Sequence, residues 1–570
     1  MRGSKADYKG SNLVFLLEIT WGSYIYRFST YPIEISKDDG STLSFHGGLS
    51  DPDLRFSMPD IGFSVDSLGV PFSLIFPQID ISQEMIDGNL IDYAKGELSY
   101  VLERSNSILE TYEKRIKIFS GVVSSPVYGH PDQPLGYVEF SLESENFDTS
   151  LLDSAIGTSA RVNEIDISPE NEDNNPMTAI TTDGIISIAD VHRGKVLPVI
   201  IGQPSQIITQ TGNSVTIGAT PAYMVGYKNI SGANIPAWFV VAGHLIDATT
   251  ITLKDNKGGS VTGSVVSFNR SDLLRFSFIE YNMATGGLTG AYEDPSVEYY
   301  ASFTNGGGIF STSEKGTLRG GGDLCIYILS LSNSAVDFSS WNSIRKYLNR
   351  YKFDGVINNP EITPLEFLQK EILPLLPIGV IIGPNGLKPV LHQLSEGIDL
   401  VVVDEIEAGS AFYRNSPVTT LSDPDSIINE ISISFGWDGI IKGYRSSVRG
   451  TYKKKKPFPF EFEDQYSQLS FSRFGRRAKA ISSKFIYDLE SATRIVRDII
   501  RFSSFPYRLI EYSADSQFGF LELGDIIHLT DQNISIEGIK AQIVSKRYVS
   551  NRWIIGLRIE NNPVINRIKA

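Results

Sequence analysis

The sequence predicts a mainly β, multidomain protein, and three observations support this fold class. The chain has 570 residues, which is too long for one hydrophobic core and corresponds to roughly three to five domains. Its 50 Gly and 27 Pro show no collagen-like period, and with 26 Tyr and 31 Phe they are typical of many short strands joined by turns. The hydrophobic share of 41% is enough for buried cores, which excludes wholesale disorder.

Residues 1–150 are predicted to form a first β domain. Two of their strand-like segments, Arg115–Ile118 and Val138–Glu143, alternate polar and apolar residues, which places one face on a core and the other in water. In chain order, the strand-like segments are Phe15–Ile19, Tyr24–Phe28, Thr42–His46, Arg115–Ile118 and Val138–Glu143. The turn at residues 38–41 precedes the third segment, and Gly121 is expected to end the fourth.

Residues 151–190 are predicted to be a polar linker. The segment Ser168–Pro176 is acidic, rich in Asn and flanked by prolines, which indicates an exposed loop. Clustered carboxylates leave calcium binding as an alternative. The spacing of an EF-hand, with its central Gly and terminal Glu, is absent.

Residues 191–330 are predicted to be an inserted β-rich domain. Its strands lie within Gly194–Gly202, Trp238–His244 and Ile251–Asp255, and Asp255–Gly259 is expected to be a hairpin turn. The glycine triplets at 306–308 and 320–322 are expected to frame a mobile loop. Neither triplet precedes the Lys-Ser/Thr pair of a phosphate-binding loop.

Residues 331–415 are predicted to be a small α/β domain. One helix carries Trp341, Ile344, Leu348 and Tyr351 on one face. A second helix begins at Thr363, which can cap it, with Pro364 at the first helical position and Glu366 completing a capping box. That helix is expected to reach about residue 373, and a hairpin over 379–391 follows.

Residues 416–570 are predicted to return to β structure, with one helix. The segment Ile431–Phe435 alternates, and Lys453–Asp464 is expected to be a charged linker broken by prolines. Asp488 caps a helix that runs to Phe502 with an apolar stripe. The final strand places Trp553, Ile555, Leu557 and Ile559 on one face.

Charge and cysteine content exclude several classes of protein. A net charge of −15 argues against a sequence-independent grip on nucleic acid, which requires phosphate neutralisation by Lys and Arg. The cluster Lys453–Lys456 is most simply a solvated loop, with a nucleic-acid or membrane patch as the alternative. Cys325 is the only cysteine, so an intrachain disulfide is impossible, and its apolar, strand-like surroundings indicate a buried structural thiol.

We expect no secretory leader at the N-terminus, because the apolar run Leu13–Leu17 is too short and Glu18 interrupts it. No segment approaches the roughly 20 apolar residues of a membrane span. We therefore expect a soluble protein that folds in a reducing compartment.

No catalytic, cofactor-binding or metal-binding residue is assigned from the sequence. The six histidines are widely separated and form no metal-ligand pattern. Asp525 and His528 lie three residues apart on a strand, so their side chains are expected to point to opposite faces. Paired carboxylates such as Asp38-Asp39 and Glu170/Glu172 lie in polar loops, and glycoside hydrolysis, which needs two carboxylates facing each other across a sugar, stays an alternative.

The C-terminal order of a helix, the turn Leu523–Ile527 and the closing strands resembles the C-terminal domain of the tail hub (baseplate hub) proteins of tailed bacteriophages. Three further stretches carry the resemblance over most of the chain: residues 21–28 with the turn at 39–40, residues 194–202, and residues 363–376 followed by 386–390. Each stretch alone is unspecific, and their order is the evidence. The block 191–330 departs from the family in its length and turn content.

The resemblance implies a structural virion protein and no cofactor. Two hub-type β-barrels, at 1–150 and 416–570, would contribute to a homotrimer whose six barrels join a six-fold tail tube to a three-fold tip. The implied partners are a distal tail or tail tube protein, the tape-measure protein and tail-tip spike or fibre proteins. Genomic DNA would pass through without specific binding, and a net-negative lumen would repel its phosphates.

The implied location is the tail tip of the virion, after synthesis in the host cytoplasm. Two other function classes remain open from the sequence. One is a tail-tip protein that binds or degrades a host cell-surface glycan. The other is a surface adhesin.

Overall fold

The chain is described by a computed structural model. The described residues are 11–21, 24–50, 52, 54–58, 69–75, 94–128, 137–143, 185–186, 195–204, 206–208, 211–228, 236–244, 246, 250–269, 275–282, 287–288, 294, 296–303, 318–332, 335–359, 361–383, 385–392, 402–414, 419–421, 427–454, 459–549 and 552–560. The acidic loop at 168–176 and the glycine triplet at 306–308 lie outside them. The prediction of a mainly β fold with several sheets is confirmed.

The N-terminal strands form one nine-stranded sheet in the order β3-β4-β2-β1-β7-β9-β10-β6, with β8 paired to β7. The strands before residue 150 are β1 (Asn12–Trp21), β2 (Tyr24–Ser29), β3 (Ile33–Ser36), β4 (Thr42–Gly47), β5 (Leu54–Ser57), β6 (Gly69–Ile75), β7 (Lys95–Arg104), β8 (Ser107–Ile108), β9 (Ile116–Tyr128) and β10 (Tyr137–Glu143). The expected hairpin of β1 and β2 is confirmed, with Trp21 opposite Tyr24.

The expectation that Gly121 ends its strand is wrong. Strand β9 continues through Gly121. The backbone of β10 lies so close to this residue that a Cβ on it would meet the carbonyl oxygen of Glu143 at 2.1 Å. Glycine serves close packing here.

The middle of the chain forms a seven-stranded antiparallel sheet in the order β11-β15-β16-β19-β18-β17-β20, beside two small two-stranded pairs, β13–β14 and β12 with a later strand. These strands are β11 (Ile185–Ile186), β12 (Val199–Ile201), β13 (Gln206–Ile208), β14 (Ser214–Thr216), β15 (Thr220–Lys228), β16 (Pro236–Ala242), β17 (Thr250–Asp255), β18 (Ser260–Asn269), β19 (Arg275–Asn282) and β20 (Tyr299–Ser302). The predicted turn after β17 is confirmed, since the Asp255 carboxylate accepts hydrogen bonds from the backbone N–H groups of Lys257 and Gly259.

Helices dominate the next segment. Its elements are α1 (Gly321–Ser330), α2 (Phe338–Leu348), β21 (Gly355–Ile357), α3 (Pro364–Phe367), a π-helical turn (Leu368–Ile372), a 3-10 turn (Leu373–Leu375), β22 (Ile378–Gly383) and β23 (Gly386–Leu391). The cap of α3 is confirmed, with Thr363 accepting a hydrogen bond from the backbone N–H of Glu366. The predicted hairpin is formed by β22 and β23.

Two expectations at α1 are wrong. The glycines at 320–322 are not flexible but open this packed helix, where α2 lies so close that a Cβ at Gly322 would meet the carbonyl oxygen of Arg345 at 2.5 Å. The loop that they were expected to frame lies outside the described residues. The apolar run around Cys325 is helical, although it suggested a strand. A short apolar run with no polar partner does not distinguish a buried helix from a buried strand.

The C-terminal strands are divided between two sheets. The elements are β24 (Val402–Glu407), β25 (Phe412–Arg414), β26 (Thr419–Leu421), β27 (Glu430–Asp438), β28 (Gly443–Thr451), β29 (Phe460–Glu463), α4 (Gln465–Phe474), β30 (Ala478–Ser482), α5 (Leu489–Ser503), β31 (Tyr507–Ala514), β32 (Ile526–Asp531), β33 (Ile536–Val549) and β34 (Arg552–Glu560). The four-stranded sheet has the order β29-β28-β27-β30. The eight-stranded sheet has the order β24-β32-β33-β34-β31-β25, joined by β26 and β5.

The expected linker at 453–464 is wrong in part. Its last residues form β29, which pairs in parallel with β28 and ends one residue before Asp464 caps α4. The predicted cap of α5 is confirmed: Asp488 accepts a hydrogen bond from the backbone N–H of Ser491. The stripe of α5 is buried at Ala492, Ile495, Val496 and Ile500.

Two large cores result. The first combines side chains of the N-terminal sheet with those of the eight-stranded sheet. The second combines the helical segment with α5 and the four-stranded sheet. Residues 416–570 thus contribute to both cores, and the division of the chain into five domains stays a prediction.

Candidate functional site

The C-terminal turn that carries the family resemblance is built as the sequence predicts. Gly524 has a φ of +85°, a conformation that glycine adopts without strain. The Asp525 carboxylate accepts a hydrogen bond of 2.7 Å from the backbone N–H of Glu522. Asp525 therefore holds the turn that starts β32.

His528 does not join Asp525. Its Nδ1 lies 3.7 Å from a carboxylate oxygen of Glu405 on the neighbouring strand β24. The Asp525 side chain is nearly buried and is directed into its own turn. The two groups serve separate contacts, as the strand geometry predicts.

The other described histidines are also apart from one another. His244 accepts a hydrogen bond from the backbone N–H of Ile200 at 2.9 Å, and His392 is fully buried in a different core region. Across the described residues, no group of three or more His, Cys, Asp or Glu side chains is arranged to hold a metal ion. His130 and His192 lie outside those residues.

The Cys325 thiol is completely buried on α1, within the second core. Burial raises its pKa far above the usual value, because the apolar surroundings cannot solvate a thiolate. A thiol without thiolate character is a poor nucleophile. The expectation of a buried structural thiol is confirmed.

The paired carboxylates Asp38 and Asp39, and the buried carboxylate of Asp354, have structural partners. Asp38 accepts a hydrogen bond from Thr111, and Asp39 accepts two from Ser41. Buried Asp354 accepts two hydrogen bonds from Arg319, at 2.6 and 2.7 Å. These arrangements fix loops in place. The pair Glu170/Glu172 lies outside the described residues.

Strand pairing and aromatic packing join the N-terminal sheet to the eight-stranded sheet, and we call this contact the joint. Strand β5 leaves the N-terminal segment and pairs with β33, with Leu54 opposite Tyr548. The Tyr548 ring then packs edge-to-face on Phe15 of β1 and on Trp553 of β34, with centroid distances of 5.0 and 4.9 Å. Backbone pairing and aromatic packing together hold the two sheets in one core.

A buried lysine supports this joint. The Lys546 ammonium donates hydrogen bonds of 2.6 and 2.7 Å to the carbonyl oxygens of Gly519 and Leu521. It also lies 3.9 Å from the centroid of the Trp553 ring. The loop before Gly524 is thereby tied to β33 by a charge removed from water.

A second buried polar group connects the eight-stranded sheet to β23. Arg558 contacts the Oε1 of Gln542 at 2.6 Å and the Nδ1 of His392 at 3.1 Å. Gln542 in turn donates to the carbonyl oxygen of Leu391 at 2.7 Å. Burial, followed by the positive charge of Arg558, holds the pKa of His392 well below its usual 6.5.

Comparisons with known proteins give remote similarities. No protein-family model matches the chain, and the comparison with curated proteins finds no match. A 43 kDa tail protein of prophage MuSo2 from Shewanella oneidensis is 8% identical, with 95% of this chain and 98% of that chain covered and a TM-score of 0.30. A chain of the virion of a native gene transfer agent particle is 7% identical, with coverages of 73% and 93% and a TM-score of 0.39.

The prophage tail protein gp18 from Listeria monocytogenes EGD-e is 9% identical, with 65% of this chain and 97% of that chain covered and a TM-score of 0.23. All three are tail or virion proteins. TM-scores under 0.5 give these likenesses no weight for the function of this chain.

Sequence reasoning missed the buried polar residues of the joint and of the contact with β23. Lys546 lies on the core-facing side of β33, opposite Ile555, after a bulge between Ile543 and Ser545 that breaks the alternation of this strand. Gln542 and Arg558 lie opposite each other on the other face of β33 and β34, where β23 covers them. For Gln542 and Arg558 the sequence offers no signal, because polar residues at these alternating positions are typical of a solvent-facing side, and the residues that bury them, Leu391 and His392, come from a distant segment. Among the described helices, none has the length and apolarity that a membrane crossing requires.

Proposed function

We propose that this chain is a structural, non-enzymatic protein of a bacteriophage tail, located at the tail tip. In this proposal three copies form a hub that joins a six-fold tail tube to a three-fold tip. The hub surrounds the channel through which the genome leaves. Its partners are a distal tail or tail tube protein, the tape-measure protein and tip spike or fibre proteins.

One observation carries the proposal. The N-terminal sheet and the eight-stranded sheet share a single core, joined by the pairing of β5 with β33. A subunit that adapts three-fold to six-fold symmetry must present two strand assemblies in a fixed relation. Three copies of such a subunit place six assemblies around one axis.

The order of elements supports the same proposal. The turn at Gly524 and Asp525, one of the stretches on which the tail hub resemblance rests, opens a strand of the shared core. The chain is also acidic, with a net charge of −15, which suits a channel wall that repels DNA phosphates.

The oligomeric state tests the proposal directly. Light scattering on the purified chain should give the mass of three 63.0-kDa subunits. A stable monomer over the accessible concentration range would rule out the hub. Electron cryo-microscopy of the virion should then place the chain between tube and tip.

Enzymatic action needs a separate test. Host cell wall or surface polysaccharide incubated with the chain should release no sugar. Measurable release would instead favour a glycan-degrading tail-tip protein.

A further inference from the structure

Positive charge is concentrated in one part of this acidic chain. Residues 439–484 contain twelve Lys or Arg and three Asp or Glu, a formal net charge of +9. Since the whole chain has a net charge of −15, the rest of the chain carries −24. A segregated distribution of this kind creates complementary surfaces on one molecule.

Hydrogen bonds gather part of this charge at one end of the four-stranded sheet, whereas Lys442, Arg445 and Lys484 lie near the other end. The backbone N–H of Asn429 donates to the carbonyl oxygen of Arg477, and Asn429 Oδ1 accepts from the Arg477 N–H. The buried Glu430 accepts hydrogen bonds from Thr451 at 2.9 Å and from Arg476 at 2.5 Å. The end of β28 and the start of β30 therefore meet at the beginning of β27.

The exposed basic side chains project from these meeting points. Lys453 and Lys454 directly follow Tyr452, whose ring stacks on Phe471 of α4 at a centroid distance of 3.6 Å. That stack fixes the start of the lysine run beside the end of α4. We call the resulting surface the basic end; its exposed members are Lys453, Lys454, Arg473, Arg476 and Lys479.

Strand β30 lies in the basic end and has little cover. It is an outer strand of its sheet, and no other described strand pairs with its free edge. Of its five residues, only Ile481 is partly buried, and the others are exposed. An uncovered edge of this kind is a template for pairing with another chain, which proteins normally block or occupy.

An acidic counterpart lies at the edge of the eight-stranded sheet. Residues 393–411 contain five Asp or Glu and no Lys or Arg, and they include the outer strand β24. On β24 the alternating residues Val403, Glu405 and Glu407 are exposed. The Glu405 side chain is 85% exposed, and Val403 is among the exposed large hydrophobic residues.

We propose that the basic end of one copy binds the acidic outer face of β24 on a second copy of this chain. The contact joins two different surfaces, so each copy offers one of each, and a suitable rotation closes the copies into a ring. This inference rests on the proposed function, because it names the contact between copies within the proposed trimer.

Charge reversal tests the contact. The variant Lys453→Glu/Lys454→Glu/Lys479→Glu should weaken self-association about tenfold or more at 0.15 M salt, since several rim charges would become repulsive. Glu405→Lys/Glu407→Lys should have the same effect. A chain carrying both sets should associate again, because the two surfaces would remain complementary with exchanged signs.

The matched control is Lys114→Glu/Lys257→Glu/Lys346→Glu, which makes the same change in net charge at exposed lysines elsewhere. It should leave the mass in sedimentation and light scattering unchanged. Wild-type association should also weaken between 0.15 and 0.5 M salt, as exposed charges become screened.

The outcomes separate this contact from the proposed hub. A wild-type trimer that survives both reversals unchanged overturns the contact and leaves the hub standing. A wild-type monomer at low salt overturns both. If the lysine reversal leaves the mass intact but abolishes binding to a duplex DNA, the basic end binds nucleic acid and the proposed contact is wrong.

Discussion

Replacing Gly524 with alanine is expected to destabilise the C-terminal sheet by two separable effects. The residue has a φ of +85°, where a side chain costs about 1–2 kcal/mol. An added Cβ would also lie 2.1 Å from Cγ1 of Val390. Val390 is buried and β-branched, so it cannot rotate away, and overpacking of this kind costs about 1–3 kcal/mol. The free energy of unfolding should therefore fall by about 2–5 kcal/mol.

Gly538 provides the matched control. It lies in β33 of the same sheet with a φ of +57°, and no atom lies within 4 Å of an added Cβ. Gly538→Ala should therefore cost only the conformational part, about 1–2 kcal/mol. Adding Val390→Ala to the Gly524→Ala chain should recover part of the overpacking cost, which a double-mutant cycle would measure as a coupling of about 1–3 kcal/mol.

Urea denaturation followed by tryptophan fluorescence measures these differences. Trp553 is buried in the same sheet and reports on its unfolding. Circular dichroism on the same samples would check that both probes follow one transition. Equal losses for Gly524→Ala and Gly538→Ala, or additivity of the Gly524 and Val390 changes, would refute the proposed contact between the turn and β23.

Three further predictions concern buried polar groups. Cys325 should not react with a thiol reagent in the folded protein and should react on denaturation, because its thiol is completely buried; fast labelling of the folded chain would contradict this. Lys546→Met should lower the free energy of unfolding by about 2–4 kcal/mol, since two buried carbonyl oxygens lose their donor, whereas Lys540→Met on the same strand should change it by less than about 0.5 kcal/mol. The low pKa of His392 means that the unfolded chain binds a proton that the folded chain does not. The free energy of unfolding should therefore fall as pH drops below 6.5, by up to about 1.4 kcal/mol per pH unit, and His392→Asn should remove that part of the slope.

Features that depend on neighbouring residues could be predicted from the sequence. Thr363 and Asp488 cap their helices because the acceptor and the N–H group lie three residues apart. The turn at Gly524 and Asp525 is equally local. The period of two in β34 could be predicted because it follows from strand geometry alone.

Features that depend on distant segments could not be predicted. Nothing in β5 indicates that it pairs with β33, almost five hundred residues later. The glycines at 320–322 suggest flexibility in the sequence. Glycine is needed there because α2 packs closely against them, and the local sequence does not show that contact. The apolar run around Cys325 indicates a strand but forms a helix, because such a run fits a buried strand and a buried helix equally well.

The net charge of the whole chain does not predict the charge of each local surface. A net charge of −15 argued against phosphate binding, yet the basic end is a local surface of opposite sign. If the channel of the proposed hub is net negative, the basic end must face away from it, toward a neighbouring copy. The proposed net-negative channel and the proposed contact between copies therefore constrain each other. A reconstruction that places β30 on the channel wall would contradict both, because DNA phosphates would then meet Lys479 and its neighbours instead of a repelling surface.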